Sequence, residues 1–403
     1  MDILLDNTKI ERLYVQIIIT GSKSESNRLL ILQQFFTNLQ IENVSNSHDT
    51  QVLKEILTNK KPIANVGHAG TAMRFLTAYF SSINGIDVTL TGSSRMQNRP
   101  IKILVDALRS IGADITYAKR EGFPPLRIKG KNLHKNTISI NGNVSSQYIS
   151  ALLLIAPSLK EGLTIELIGK VTSKPYLEMT LGLLEQVGVE TSWKNNIIQV
   201  CPQNQVCDKI IVVESDWSSA SYYYSALALK TGKIKISFLK ENSLQGDKEL
   251  AVLYNNFGIQ TTFVENSIIL EKTPNFKQKK HISLDLVNTP DIAQTIAVTC
   301  FGLDVSCDLT GLHTLKIKET DRLEALKNEL QKFGAKVRIT DDSLQLRSEK
   351  LIPTKQPISI ETYEDHRMAM AFAPLSLKTP VFIKNAEVVN KSYPDFWTDF
   401  KFF

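Results

Sequence analysis

The stretch Gly-Ser-Lys-Ser-Glu-Ser-Asn-Arg (21–28) places two cations, Lys23 and Arg28, at the start of a helix-like apolar run. A helix N-terminus has unpaired N–H groups and a partial positive charge, so it binds phosphate or carboxylate groups. Ser22 followed by Glu25 is a capping box, which explains the serine without any ligand. Capping does not explain the two cations, because positive charge at this end opposes the helix dipole. The stretch therefore predicts an anion-binding helix start.

Further cations and carboxylates stand in short polar blocks. Arg95 follows a strand-like segment, and Lys318, Glu319 and Arg322 lie within five residues of one another. A surface ion pair is the alternative for Glu319 and Arg322, because residues three apart share a helix face. Lys391 lies in a proline-bounded loop, where a solvated lysine is the usual explanation.

Six polar loops, each followed by a helix-like run of small and apolar residues, recur along the chain. They occupy residues 21–32, 67–80, 143–154, 215–229, 288–298 and 363–375. Cations lie at or near several of these starts, so helix starts that converge would form one site for several anionic groups.

Between the loops, amphipathic segments end in glycine and run into strand-like residues. The glycines are Gly112, Gly188, Gly258 and Gly334, which are 76, 70 and 76 residues apart. Glycine is favoured there because the residue after a helix often takes a left-handed conformation. The pattern predicts about six strand–helix–strand–helix–strand units, arranged as two domains of three.

These blocks together resemble the EPSP synthase (5-enolpyruvylshikimate-3-phosphate synthase) family of enolpyruvyl transferases. The resemblance runs in order from residue 21 to about residue 397. The matching blocks are Gly21–Ser24 with Asn27–Arg28, Ala69–Arg74, Arg95–Met96 with Arg99–Pro100, Ser145–Gln147, Ser173–Tyr176, Pro290–Asp291, Lys318–Leu323, Asp365–Met370, and Lys391 with Pro394–Asp395.

The resemblance implies an α/β fold with mixed sheets, classed as α+β in some schemes. It implies two lobes, each of three repeated βαβαββ units around buried helices. Residues 1–20 and 214–403 would form the lobe with the catalytic carboxylates and part of the phosphoenolpyruvate site. Residues 21–213 would carry most of the shikimate 3-phosphate site, and the substrates would bind in the cleft between the lobes.

The resemblance also implies the reaction: transfer of the enolpyruvyl group of phosphoenolpyruvate to the 5-hydroxyl of shikimate 3-phosphate, with release of phosphate through a tetrahedral intermediate. Gly70 belongs to the implied substrate site. The residues implied for phosphoenolpyruvate are Lys23, Arg95, Gln147, Arg322, Arg367 and Lys391. Those implied for shikimate 3-phosphate are Ser24, Arg28, Ser145, Ser146, Ser173, Tyr176 and Lys318. Asp291, which also belongs to the substrate site, and Glu319 are the candidate proton carriers, with Lys23 as a possible helper; which is acid and which is base stays open. An N-cap role is the alternative for Asp291.

Three residues depart from the family pattern. His68 stands where asparagine is usual, Phe75 where proline is usual, and Thr314 where asparagine often contacts the shikimate ring. The first two bear on inhibitor sensitivity and loop shape, and the third bears on one substrate contact.

Composition fits an ordinary globular protein: 403 residues, 42% hydrophobic, 22% charged, with a net charge of +6 that suits an anionic ligand. The N-terminus is a poor signal peptide, and the apolar runs are too short to span a bilayer. The four cysteines lack metal-ligand spacing, so we expect reduced, mostly buried thiols in a cytoplasmic protein. We expect no metal, no cofactor, no nucleic acid and no membrane partner, and a monomer.

Three alternatives stay open at this point. The related transferase that acts on UDP-N-acetylglucosamine uses a loop cysteine, and the loop around Arg95 has none. An RNA-end-processing relative is allowed by the basic charge, but aromatic residues do not interleave with a basic stripe. A non-catalytic anion-binding relative is disfavoured by the presence of both candidate carboxylates.

Overall fold

The computed structural model describes residues 1–59, 61–347, 351, 354 and 356–401. The strands are β1 (Ile3–Leu5), β2 (Arg12–Ile18), β3 (Leu39–Glu42), β4 (Ile63–Asn65), β5 (Asp87–Thr91), β6 (Asp114–Tyr117), β7 (Leu126–Lys129), β8 (Thr137–Asn141), β9 (Leu163–Ile168), β10 (Thr191–Lys194), β11 (Ile197–Val200), β12 (Lys209–Val212), β13 (Thr231–Ser237), β14 (Ile259–Val264), β15 (Ser267–Lys272), β16 (His281–Asp285), β17 (Ser306–Thr310), β18 (Lys336–Ile339), β19 (Leu344–Arg347), β20 (Ile358–Ile360) and β21 (Val381–Ile383).

The helices alternate with these strands along the chain. They are α1 (Lys23–Phe35), α2 (His48–Asn59), α3 (Gly70–Ser82), α4 (Lys102–Ser110), α5 (Ser146–Ile155), α6 (Lys174–Val187), α7 (Trp217–Leu229), α8 (Leu250–Leu253), α9 (Ala293–Gly302), α10 (Arg322–Gln331), α11 (His366–Phe372) and α12 (Phe396–Phe400). Short 3₁₀ helices extend or precede several of them.

The chain forms two compact units. We call them the central unit, Gly21–Val213, and the terminal unit, which combines Met1–Thr20 with Glu214–Phe403. The terminal unit is therefore built from both ends of the chain.

One sheet pattern occurs four times in the described residues. A parallel pair of strands is extended by an antiparallel hairpin, in the orders β4-β5-β7-β6 and β8-β9-β11-β10 in the central unit, and β2-β13-β15-β14 and β16-β17-β19-β18 in the terminal unit. Two smaller sheets complete the units: β12-β3 in the central unit and β1-β21-β20 in the terminal unit. The predicted mixed α/β fold of repeated units is confirmed.

The helices that follow the polar loops are buried. In α3, α5, α7, α9 and α11 almost every residue is shielded from solvent, as expected for helices that are apolar all round. Two buried tyrosine hydroxyls of α7 have partners: Tyr223 bonds Tyr393 at 2.8 Å, and Tyr224 bonds Thr261 at 2.8 Å. Satisfied hydroxyls allow these polar side chains to lie in the core.

The four glycines of the repeat all have positive φ, between 73° and 111°, as predicted for residues that follow a helix. The segment before Gly258 differs from the prediction, because α8 covers only Leu250–Leu253 and a 3₁₀ helix, Tyr254–Phe257, completes it. The cysteine prediction was half wrong: Cys300 and Cys307 are buried, whereas Cys201 and Cys207 are exposed.

Among the residues that the structure describes, none of the helices has the length and apolar character needed to cross a membrane. Over those same residues, no group of three or more His, Cys, Asp or Glu side chains is arranged to hold a metal ion.

Candidate active site

Arg322 is the centre of a charged cluster in the terminal unit. It is the first residue of α10, and its side chain is 2% exposed. Nη1 donates to Asp291 Oδ1 at 2.9 Å, Nη2 to Glu319 Oε2 at 2.9 Å, and Nε to Asp365 Oδ2 at 2.7 Å. The planar guanidinium thus fixes three carboxylates from separate segments, which an ammonium group could not do with the same geometry.

Three further cations surround these carboxylates. Lys318 Nζ lies 3.5 Å from Asp291 Oδ1, Arg367 Nη2 lies 3.4 Å from Asp291 Oδ2, and Lys391 Nζ lies 3.8 Å from Glu319 Oε1. We call the group formed by Asp291, Lys318, Glu319, Arg322, Asp365, Arg367 and Lys391 the Arg322 cluster. It contains four cations and three carboxylates, so it has an excess of positive charge for an anionic ligand.

Burial alone would lower the pKa of Arg322, but Asp365, Glu319 and Asp291 outweigh that effect and raise it. The guanidinium therefore stays charged although it is buried. A cation at a helix N-terminus is locally unfavourable, and here the three carboxylates offset that cost.

The structure decides the alternatives that the sequence left for these residues. Glu319 and Arg322 pair as the spacing predicted, but the pair is buried within a larger cluster. Asp291 does not stand at an N-cap position, because Thr289 holds that position for its 3₁₀ helix and Ile292 holds it for α9. Lys391 ends a 3₁₀ helix, and its side chain is only 13% exposed, so it is not a solvated loop lysine.

Asp365 was not predicted as a site residue, although it belongs to the matched block. Its Oδ1 accepts from the backbone N–H of Arg367 at 2.8 Å and so caps α11, while the same carboxylate holds Arg322. Sequence reasoning missed it because an aspartate before an apolar run is an ordinary helix cap. Nothing else in the local sequence indicates a second role.

Ser218 and Asp247 extend the cluster. Arg367 Nη2 donates to Ser218 Oγ at 3.3 Å, and the Ser218 hydroxyl donates to Asp247 Oδ2. Burial, together with the nearby Asp291 charge, raises the pKa of Asp247 to about 7. Ser218 is not the cap of its helix, because the N-cap of α7 is Asp216, which accepts from the Ser219 N–H.

Arg28 ties three helices of the central unit together. Nε donates to Thr180 Oγ1 at 2.7 Å, and Nη2 lies 3.3 Å from both Ser150 Oγ and the Tyr176 carbonyl. Nη1 donates to the Ser24 carbonyl at 2.8 Å. Burial lowers the pKa of Arg28 to about 10. Arg28 is therefore a buried link between α1, α5 and α6, close to the predicted residues Ser24 and Tyr176.

Lys23 is the first residue of α1, and its Nζ lies 3.5 Å from Asp49 Oδ2 at the start of α2. The lysine is 18% exposed and the aspartate 4%. Ser22 caps α1 by accepting from the Glu25 N–H, as predicted. Asp49 is a partner that sequence reasoning missed.

Gln147 connects two other helix starts. Its Nε2 donates to Thr71 Oγ1 at 2.9 Å, so the first turns of α5 and α3 are neighbours. Gly70 begins α3, and its carbonyl accepts from Arg74 Nη1 at 3.1 Å. Arg95 lies half-buried before the 3₁₀ helix Met96–Asn98.

Ser145 and Ser173 are the N-cap residues of α5 and α6, yet neither hydroxyl caps its helix. Ser145 is exposed, Ser146 follows it as the first residue of α5, and Ser173 has a left-handed backbone with φ of 54°. Serine at an N-cap usually accepts a bond from the helix. Hydroxyls that do not do so are suited to a ligand.

The three departures from the family pattern have local explanations or none. His68 Nδ1 lies 3.0 Å from Ser93 Oγ, which joins the loop before α3 to the loop that carries Arg95. The Phe75 ring centroid lies 5.5 Å from the Arg28 guanidinium, in cation–π contact. Thr314 Oγ1 is buried and, within the described residues, has no hydrogen-bond partner.

The predicted residues of the terminal unit lie together, whereas those of the central unit are distributed over the starts of several helices. The terminal unit brings Asp291, Lys318, Glu319, Arg322, Arg367 and Lys391 into one cluster. In the central unit, the starts of α1, α3, α5 and α6 are joined by side-chain bonds. Chemically, the Arg322 cluster offers cations for phosphate or carboxylate groups beside carboxylates that can exchange protons.

Comparison with known proteins identifies the family. A family model described as EPSP synthase (3-phosphoshikimate 1-carboxyvinyltransferase) matches residues 33–400. A 3-phosphoshikimate 1-carboxyvinyltransferase of Bacteroides fragilis (strain ATCC 25285) is 47% identical over 386 residues, covering 94% of this chain and 93% of the relative. The enzyme of the same name from Vibrio cholerae serotype O1 (strain M66-2) is 36% identical over 422 residues, covering 97% of each chain.

Solved structures show the same fold. An EPSP synthase from Acinetobacter baumannii matches with a TM-score of 0.79 at 20% identity, covering 99% of this chain and 97% of that one. The enolpyruvyl transferase NikO from Streptomyces tendae matches with a TM-score of 0.73 at 14% identity, covering 99% and 96%. The family predicted from the ordered blocks is confirmed, and the chain belongs to the EPSP synthase family.

Proposed function

We propose that this enzyme transfers the enolpyruvyl group of phosphoenolpyruvate to the 5-hydroxyl of shikimate 3-phosphate. The 5-hydroxyl gives its proton to a base as its oxygen bonds to C2 of phosphoenolpyruvate. C3 gains a proton from an acid and becomes a methyl group, so the C2–C3 double bond becomes single and a tetrahedral intermediate forms. C3 then loses a proton, the bond from C2 to the phosphate oxygen breaks, and inorganic phosphate leaves. The relatives named above carry the name of this activity.

The observation that carries the proposal is the Arg322 cluster. Phosphoenolpyruvate has a phosphate and a carboxylate, and both need cations at fixed positions. Arg322, Arg367 and Lys391 provide them in the terminal unit. We assign Lys23, Arg95 and Gln147 of the central unit to the same substrate.

Shikimate 3-phosphate would bind to hydroxyl and cationic groups. We assign to it Ser24, Arg28, Ser145, Ser146, Ser173, Tyr176 and Lys318, with Gly70 as a position of close backbone approach. The two N-cap serines whose hydroxyls leave their helices uncapped support this assignment. Arg28 is the weakest member because its donors already bond Thr180, Ser150 and two backbone carbonyls.

Proton transfer is assigned to Asp291 and Glu319, with Lys23 as a helper. Both carboxylates are bound by Arg322, and each also has a lysine within 4 Å: Lys318 for Asp291 and Lys391 for Glu319. Asp291 has a third cation beside it, Arg367, whose Nη2 lies 3.4 Å from Oδ2.

The direct test is phosphate release by the purified protein with phosphoenolpyruvate and shikimate 3-phosphate. A parallel reaction with UDP-N-acetylglucosamine as acceptor separates the related transferase. We expect turnover with the first acceptor only. Turnover with UDP-N-acetylglucosamine alone would contradict the proposal, and salt-sensitive RNA binding in a filter assay would favour the nucleic-acid alternative.

Variants connect the activity to the cluster. Asp291→Asn and Glu319→Gln should each lower turnover roughly hundredfold or more, as expected for lost proton carriers. Glu324→Gln is the matched control, because Glu324 is 45% exposed and pairs with Lys327 on the surface of α10. The control should keep turnover within about twofold.

The monomeric state and the cytoplasmic location stay predictions. Light scattering coupled to size-exclusion chromatography measures the first, and fractionation of the source cells measures the second.

A further inference from the structure

Residues 361–365 connect β20 to α11 and make a turn that is unfavourable for their side chains. The Asp365 N–H donates to the Thr362 carbonyl at 2.8 Å, and the two residues between them, Tyr363 and Glu364, have φ values of 53° and 55°. Turns with positive φ at both central positions favour asparagine and glycine, because other side chains are crowded there. Here they are a tyrosine and a glutamate, so other contacts must hold the turn.

Helix α10 supplies those contacts. Tyr363 OH donates to Glu329 Oε1 at 2.7 Å, and the Glu361 N–H donates to Glu329 Oε2 at 3.1 Å. Glu329 is fully buried, and Lys332 Nζ lies 2.6 Å from its Oε2. The carboxylate therefore holds the turn at two points, before and within the left-handed pair.

The same helix holds the far side of the turn through Arg322, whose Nε donates to Asp365 Oδ2 at 2.7 Å. Asp365 in turn accepts from the Arg367 N–H at 2.8 Å, and Arg367 Nη1 donates to the Asp291 carbonyl at 2.9 Å. Any shift of the turn would move Asp365, and with it the support of both Arg322 and Arg367.

We infer that Glu329 and Tyr363 are positioning residues: their hydrogen bond holds the left-handed turn so that Asp365 sets the relative placement of Arg322 and Arg367. The effect on substrate rests on the proposed function, in which the two arginines bind phosphoenolpyruvate. Neither Glu329 nor Tyr363 touches the substrate in this scheme. A residue that only stabilised the fold would not act selectively on that one substrate.

Tyr363→Phe removes the hydroxyl and keeps the ring, so the variant should fold. We expect the KM for phosphoenolpyruvate to rise about five- to tenfold, while the KM for shikimate 3-phosphate and kcat stay within about twofold. Tyr14→Phe is the matched control, because Tyr14 is 71% exposed and should change nothing. Equal changes in both KM values, or no change in either, would overturn the inference.

Glu364→Gly provides a rescue test, since glycine adopts positive φ without crowding. In the Tyr363→Phe background it should return the KM for phosphoenolpyruvate to within about twofold of the parent enzyme. A double variant as impaired as Tyr363→Phe, or worse, would show that the hydrogen bond does not act by holding the turn.

Hydrogen exchange of the ligand-free protein tests the turn without any activity. Peptides covering residues 361–372 should exchange faster in Tyr363→Phe and return toward the parent rate in the double variant. Unchanged exchange in Tyr363→Phe contradicts the inference. If the parent protein shows no turnover, the proposed function fails, while the exchange data still decide whether the turn is held in this way.

Discussion

Replacing Arg322 with lysine tests how the charged cluster is held. Lysine keeps the positive charge, but its ammonium group cannot bridge three carboxylates placed around a planar guanidinium. Arg322 makes one bond of 2.7 Å and two of 2.9 Å to Asp365, Asp291 and Glu319. Each charge-assisted bond is worth about 1.5–3 kcal/mol, so the loss of two predicts about 3–6 kcal/mol less unfolding free energy for the terminal unit. Breaking buried ion pairs costs a similar amount.

Urea unfolding followed by tryptophan fluorescence measures this change. A Trp193→Phe background removes the tryptophan of the central unit, so Trp217 and Trp397 report on the terminal unit alone. Arg347→Lys is the control: Arg347 is 50% exposed and its Nη1 lies 2.8 Å from one carboxylate, that of Asp308. The control should change the unfolding free energy by less than about 0.5 kcal/mol. A loss below about 1 kcal/mol for Arg322→Lys would refute the view that three carboxylates depend on this one guanidinium.

Three further predictions follow from single side chains. Burial raises the pKa of Asp247 from 3.8 to about 7, so folding opposes its ionisation. The unfolding free energy should therefore fall by at most a few kcal/mol as the pH rises from about 4 to about 7. Urea titrations across this pH range should show that Asp247→Asn removes the fall. Lys23→Met should lower turnover by about hundredfold or more, and turnover within about threefold of the parent would contradict the role of Lys23. The same variant removes a cation from the buried Asp49, which should cost about 1–3 kcal/mol of stability. Gly92→Ala should weaken phosphoenolpyruvate binding, measured as KM, because a Cβ there would lie 2.8 Å from a backbone carbonyl oxygen and displace the loop that carries Arg95; an unchanged KM would show that the loop adapts.

Local signals predicted the elements well. The capping residue Ser22, the glycines with positive φ and the buried apolar helices follow from rules that act over a few residues. The family resemblance alone predicted one site for Lys318, Glu319, Arg322, Asp291 and Arg367. The spacing of these blocks along the sequence does not indicate that they lie together.

The roles that the sequence did not reveal, those of Arg28 and Asp247, depend on contacts with residues far away in the chain. Arg28 carries the same charge as Lys23 and stands at the same helix start, yet its bonds to Ser150 and Thr180 place it inside the core. Asp247 lies in a short 3₁₀ helix without apolar periodicity, so its burial against Ser218 gave no local signal. In both cases tertiary packing decides how a polar side chain is used.

The composition of the terminal unit from both chain ends has a consequence for biosynthesis. Strand β2 pairs in parallel with β13, and β1 pairs Ile3 with Ile383. Neither strand can therefore pair until residues much later in the chain have been synthesised. The central unit has all its residues by Val213 and can fold while the ribosome is still at work. During that interval the first twenty residues stay without their sheet, and Tyr14 and Ile18 add apolar surface to an unpaired strand. We therefore expect the nascent chain to be most prone to aggregation, and most in need of a chaperone, before β13 emerges.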